Sequence, residues 1–202
     1  MNKKIIILHT LRTKEDDIMC DILKKLKGKT ASDLLQEYNI PLVPPIDVSL
    51  LLTRIGIAEI PTDFTEIEKL MNYNQGDILG AIYARNNSLG IFYRYSDTLN
   101  RKRFTMAHEI AHCCLDADSL EKRHLELRNC QTSNNVKEKN ANIFAGELLM
   151  PLPLLEKIHS QFIIAPSLAS ISKIFNVSTT VMAARLDYLN MPYIKDQLID
   201  EN

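Results

Sequence analysis

Glycine occurs only 6 times and proline 8 times in this sequence, and 24% of its residues are charged. That scarcity and that charge content exclude collagen-like, low-complexity and disordered classes. Charge of one sign is also lacking: 24 basic residues stand against 25 acidic ones, a net charge of -1. No overall field draws the chain to nucleic acid or to an anionic membrane. Long apolar runs are missing too. The one near the start, Ile5 to Leu8, is shorter than the roughly 7 to 15 residues of a secretory core, and nothing approaches the roughly 20 that a membrane helix needs. The four cysteines, Cys20, Cys113, Cys114 and Cys130, form no C-x-x-C pair and read as reduced thiols in a cytoplasmic protein. What is present is 46% hydrophobic residues over 202 positions, enough for one core with a small appendage.

Apolar spacing and breakers divide the chain. Ile18, Ile22, Leu23 and Leu26 recur at helical spacing from Thr13 to Lys27, before Gly28. A short helix fits Ser32 to Tyr38, and Pro41, Pro44 and Pro45 then enforce a connector. Asp47 can cap a helix over Val48 to Ile55 that Gly56 stops, with Ile57 to Pro61 extended. The β-branched and aromatic runs Ile78 to Ala84 and Leu89 to Tyr95 flank Arg85 to Ser88 and predict a hairpin. Helices follow at Arg103 to Leu115 and Val136 to Met150, separated by a polar stretch from Asp116 to Lys137. Two short helices, Ser167 to Phe175 and Ser178 to Leu189, meet around Asn176 and Val177. Helices, hairpin, helices is the order of an α+β fold with a small antiparallel sheet.

The chemistry concentrates in His108-Glu109-Ile110-Ala111-His112. On a helix, positions four apart lie about 40° apart around the axis, so both imidazoles leave one face and can grip one metal. Glu109 is too close in sequence to be a third ligand but can meet a water on the ion. Zinc with one coordination position open lowers the pKa of its water to roughly 7. Glu109 can then take the proton during attack on a carbonyl and pass it to the leaving amine. With 5 histidines in the chain, chance alone gives H-E-x-x-H on the order of once in a hundred such sequences.

A catalytic zinc usually takes three protein ligands. Asp118 lies where H-E-x-x-H-x-x-G-x-x-[HD] puts the third, but Leu115 replaces the glycine that the turn requires. Glu138 is favoured. It opens the second helix, Ala141 is small enough for a close approach to the first, and Asn142 can orient a ligand imidazole. Glu147 is the competing carboxylate.

The strings RFTMAHEIAH and EKNANIFAGELLMP resemble the ImmA/IrrE family of zinc metallo-endopeptidases, with its F-T-x-A-H-E-x-x-H followed by E-x-x-A-N-x-F-A-x-x-L-L-M-P. The similarity runs from about Ala31 to Pro192. It implies a zincin-like, mostly helical domain. It implies His108, His112 and Glu138 as zinc ligands, Glu109 as general base and acid, and a helix-turn-helix repressor as the protein substrate, whose cleavage derepresses a mobile element or stress regulon. Zinc is the expected cofactor, with manganese as the substitute in vitro. One departure is Cys113-Cys114 before Leu115, where the family often continues with leucine. These thiols are read as small buried apolar residues, with zinc ligation or oxidation sensitivity as the alternatives.

The corresponding division is residues 1–30 as a helical extension, 31–160 as the metallopeptidase domain and 161–202 as a helix-turn-helix-like segment. A hairpin strand is expected to offer its edge to the substrate main chain. Tyr83, Tyr93, Tyr95 and His124 are candidate oxyanion donors, while His9 and His159 have no partner at ligand spacing. Two readings compete: a DNA-binding protein, opposed by the three basic and four acidic residues of 161–202, and a zinc-holding regulatory protein without turnover. No direct nucleic-acid or membrane partner is expected.

Overall fold

The computed structural model describes residues 21–85, 88–123, 125–129 and 136–195. Helix α1 (Asp21–Leu26) is the later part of the helix expected from Thr13, whose start lies outside the described residues. Helix α2 (Ala31–Glu37) begins at a capping box. Asp33 N donates to Thr30 Oγ1 at 3.1 Å, and Thr30 N donates to Asp33 Oδ2 at 2.8 Å, so two end N–H groups are satisfied reciprocally. Helix α3 (Val48–Ile55) has the expected cap, with Leu50 N donating to Asp47 Oδ1 at 2.8 Å. It stops at Gly56, whose φ of 91° is the left-handed conformation that favours glycine.

Strand β1 (Ile57–Thr62) and the short helix α4 (Thr65–Leu70) precede the expected hairpin, β2 (Ile78–Arg85) and β3 (Ser88–Arg94). With β4 (Leu125–Asn129) they form one sheet of order β1-β3-β2-β4. β2 is antiparallel to both neighbours, but β1 runs parallel to β3, so the sheet is mixed where the sequence suggested an antiparallel one. The connection through α4 is long enough to skip a strand position, and β3 inserts between β1 and β2. This corrects the expected substrate edge: both hairpin strands are interior, and the outer strands of the described sheet are β1 and β4.

Helix α5 (Leu99–Leu115) carries the H-E-x-x-H string and starts four residues before the expected Arg103, after Thr98 in extended geometry. The stretch expected only to be polar contains α6 (Ala117–Arg123) as well as β4. Helix α7 (Val136–Leu149) matches its expected span closely. The prolines that close it also open α8 (Leu152–His159), because Pro153 sits in the first turn, where a missing N–H breaks no helical bond. Helices α9 (Leu168–Phe175) and α10 (Thr179–Tyr188) form the expected C-terminal pair. Ser167 and Ser178 cap them, and Asn176, at φ 51°, turns the chain between them.

Ten described helices around one small sheet make an α+β fold with a zincin-like plan. Leu23 and Leu26 of α1 share one core with Ile82 and Ile91 of the sheet, Ile110 of α5, and Ile171, Phe175, Met182 and Leu186 of the last two helices. The segments divided in the sequence at 30 and 160 therefore share a single core. Ala107 and Ala111 of α5 and Ala141 and Ala145 of α7 are fully buried, small enough for the two helices to pack closely. No described helix is long and apolar enough to cross a membrane.

Candidate metal centre

The i, i+4 spacing on α5 sets His108 and His112 side by side, with ring centroids 4.8 Å apart. Their Nδ1 atoms face acceptors: His108 donates to Asn142 Oδ1 at 2.8 Å and His112 to Asp116 Oδ2 at 2.9 Å. An amide oxygen and a carboxylate oxygen can only accept, so each Nδ1 carries its hydrogen and each Nε2 is the nitrogen that can bind a metal. Those two Nε2 atoms lie 2.9 Å apart. Glu138 Oε2 is 3.1 Å from the first, and Glu138 Oε1 is 3.3 Å from the second.

Three lone-pair donors do not crowd together without a positive charge among them. Ligands on a tetrahedral zinc at about 2.0–2.2 Å are about 3.3–3.5 Å from one another, so the observed spacings fit such an ion after shifts of a few tenths of an ångström. Nitrogen and carboxylate donors also suit a divalent metal such as zinc. His108, His112 and Glu138 are the metal-capable cluster among the described residues.

The electrostatics agree. Burial opposes charge on His112, yet its hydrogen bond with Glu138, the charge of Glu109 and its hydrogen bond with Asp116 raise its pKa from 6.5 to about 9. Burial pushes Glu138 upward, but hydrogen bonds from His108 and His112 hold it well below the usual carboxylate range. The cluster favours a cation, whether a proton or a metal. Asp116, four residues after His112, also pairs with Lys137 Nζ at 3.0 Å, so the carboxylate that orients this imidazole is tied to the start of α7. Sequence reasoning missed Asp116, although its spacing from His112 is the signal that finds it. Asn142 stands where its spacing from Glu138 predicted.

Glu109 is buried on α5, and its charge acts on His112. The other carboxylates lie elsewhere: Asp118 pairs with Lys27 at 2.7 Å and Glu147 with Arg185 at 3.4 Å. Cys113 and Cys114 are buried and outside the cluster, and burial pushes the Cys114 thiol up to about 12. They fill space, as expected, and such a thiol is a poor ligand or nucleophile. His159 bonds the Pro192 carbonyl oxygen at 2.7 Å. His9 and His124 lie outside the described residues. Tyr93 pairs directly across from Gly80 on β2, whereas Tyr83 belongs to the opposite face of the sheet by strand alternation, and Tyr95 follows β3 and is exposed.

Comparison with curated proteins finds no significant match. A peptidase family model described as the IrrE N-terminal-like domain matches residues 68–187, from within α4 through β2, β3, α5, β4 and α7 to the last turn of α10, and leaves β1 outside. That match takes in more than half of the chain and contains the whole His108–His112–Glu138 cluster, so the chain belongs to the peptidase family of the IrrE N-terminal-like domain.

Proposed function

We propose that the protein is a zinc-dependent endopeptidase acting in the cytoplasm on a helix-turn-helix transcriptional repressor, and that cutting this substrate relieves repression of a mobile element or stress regulon. His108, His112 and Glu138 hold the ion, with Asn142 and Asp116 fixing the two imidazoles. The observation that carries this reading is the convergence of the three donor atoms, with the Glu109 carboxylate close enough for its charge to act on His112. Bound zinc supplies Lewis acidity for a water and for the scissile carbonyl. Glu109 takes the proton of the attacking water on a carboxylate oxygen and delivers it to the leaving amide nitrogen. One C–N bond breaks and one C–O bond forms, leaving a carboxylate and an amine. The edge of β4, which has a single strand neighbour among the described residues, is the better place for a substrate main chain than the interior hairpin.

The competing DNA-binding reading loses support from Arg185. This residue is one of three cations in the last forty or so residues, and it is buried and paired with Glu147. A zinc site that only holds a partner has no use for a carboxylate in the position of Glu109. The test is incubation of zinc-loaded protein with a helix-turn-helix regulator from the same genome, with mass spectrometry of the products. Glu109→Gln should retain zinc and lose at least about 10²-fold in cleavage. Unchanged cleavage by that variant would reject the role of Glu109, and an uncut regulator would reject the substrate.

A further inference from the structure

The face that β2 turns towards α5 is interrupted at Gly80. A Cβ there would lie 2.6 Å from Glu109 Oε1, 2.7 Å from Thr105 Cγ2 and 3.3 Å from the Phe92 carbonyl oxygen. Gly80 has no left-handed φ, unlike Gly28, Gly56 and Gly76, so its backbone conformation does not call for glycine. A glycine inside a strand otherwise weakens it. The remaining reason is space, and the first atom to claim that space is a carboxylate oxygen of Glu109.

The strand is also bent to present this point. Between Ile78 and Gly80 the register against β4 shifts, so that two steps along β2 match the single step from Asn129 to Arg128. An inserted residue of this kind turns the following side chains to the other face. Ile78 accordingly packs with Ala81 and Phe64 on the far side of the sheet, while Ile82 joins the core under α5. Gly80 thereby faces the helix.

We propose that Gly80 is the positioning residue for Glu109: its missing side chain, presented by the bulge in β2, leaves the space in which the Glu109 carboxylate stands beside the metal cluster. The inference rests on the reading of Glu109 as the proton carrier. Its consequence is a separation of function from folding. Two atoms must give way to an added methyl group: Glu109 Oε1, the far end of a flexible side chain that can swing aside, and Thr105 Cγ2, on a buried β-branched residue whose displacement costs stability. A misplacement of about 1 Å at a reacting group, however, costs about 10²-fold in rate.

The experiment compares Gly80→Ala, Thr105→Ser and the double variant with Glu109→Gln, all with zinc. Gly80→Ala should keep its zinc stoichiometry and its affinity in chelator competition, hold KM and lose about 10²-fold in kcat on the regulator. In Co2+-loaded protein its visible bands should shift as those of Glu109→Gln do, and its crystal structure should show the Glu109 carboxylate displaced. Thr105→Ser removes the other close atom without touching the carboxylate. The double variant should therefore regain thermal stability and not kcat. Full kcat in folded Gly80→Ala, or recovery of kcat in the double variant, overturns the proposal. If Gly80→Ala fails to fold, the double variant decides. Should it fail as well, more than a movable carboxylate blocks the site and the inference is lost. If wild-type protein cuts nothing, the proposed function fails separately, and the cobalt bands and the carboxylate position still test the role of Gly80.

Discussion

Helices α5 and α7 meet through small residues, Ala107, Ala111, Ala141 and Ala145, and in the same contact bury His108 beside Glu138. Helices α9 and α10 meet through Ile171, Phe175, Met182 and Leu186. Their one buried cation, Arg185, is neutralised by Glu147 and stacked over the Tyr188 ring. Both pairs contribute to one core, but they treat polarity in opposite ways. Burying polar groups costs free energy unless their lone pairs and protons are matched. The C-terminal pair has its one buried charge matched by Glu147 of α7. The α5–α7 pair leaves three acceptor atoms aimed at one point, and such an arrangement is held by the surrounding fold for the sake of an ion.

That contrast can be broken from either side. The largest effect is expected on the metal: Glu138→Ala should lose bound zinc, as His108→Ala and His112→Ala should, whereas Glu147→Ala should keep it, as measured by metal analysis after gel filtration. Zinc loss in Glu147→Ala with retention in Glu138→Ala would exchange the roles of the two carboxylates. Next, Phe175→Ala should lower stability in urea unfolding by about 3–5 kcal/mol, as truncation of a fully buried aromatic does. Its zinc affinity, measured on folded protein, should stay at the wild-type value. A parallel loss of affinity would mean that the C-terminal pair shapes the metal site.

Asp116→Asn should weaken zinc binding by about 10- to 100-fold in chelator competition, because the imidazole loses its charged orienting partner and keeps its place on the helix. The smallest effect concerns protein stripped of metal. The pKa of His112 is raised from 6.5 to about 9, so its stabilisation is complete below the ordinary value and disappears as pH climbs through about 9. That of Glu138, held below its ordinary 4.5, is present above that value and lost as pH falls through the depressed one. The stripped protein should therefore melt at a lower temperature at about pH 9.5 than at about pH 6. Zinc-loaded protein should not show this alkaline loss, since the ion replaces the proton. An identical alkaline loss in both forms would show that the cluster does not bind the ion.

Much of the site was legible because its signals are local. The i, i+4 spacing of His108 and His112 and the position of Asn142 one turn after Glu138 are statements about a helix, and helix geometry is nearly independent of context. The cap at Asp47, the stop at Gly56 and the starts of the last two helices near Ser167 and Ser178 were legible for the same reason. Asp116 was within reach of the same spacing rule, but it lies where the apolar pattern stops, and α6 and β4 were missed in that polar stretch. Strand β4 has only the short alternation Leu125-Glu126-Leu127-Arg128 of its own, and pairing with β2 places it in the sheet.

By itself the sequence determined the helix that carries His108 and His112 on one face and the hairpin, since each follows from residues a few positions apart, and it favoured Glu138 among the carboxylates that could join the two histidines. The tertiary structure decided that β1 lies parallel to β3, that the hairpin is interior, that Glu147 faces Arg185 across 38 residues of chain, and that Gly80 makes room for Glu109. These are matters of which surfaces meet. Chain entropy and packing settle such meetings over the whole molecule, and no short stretch of residues encodes them.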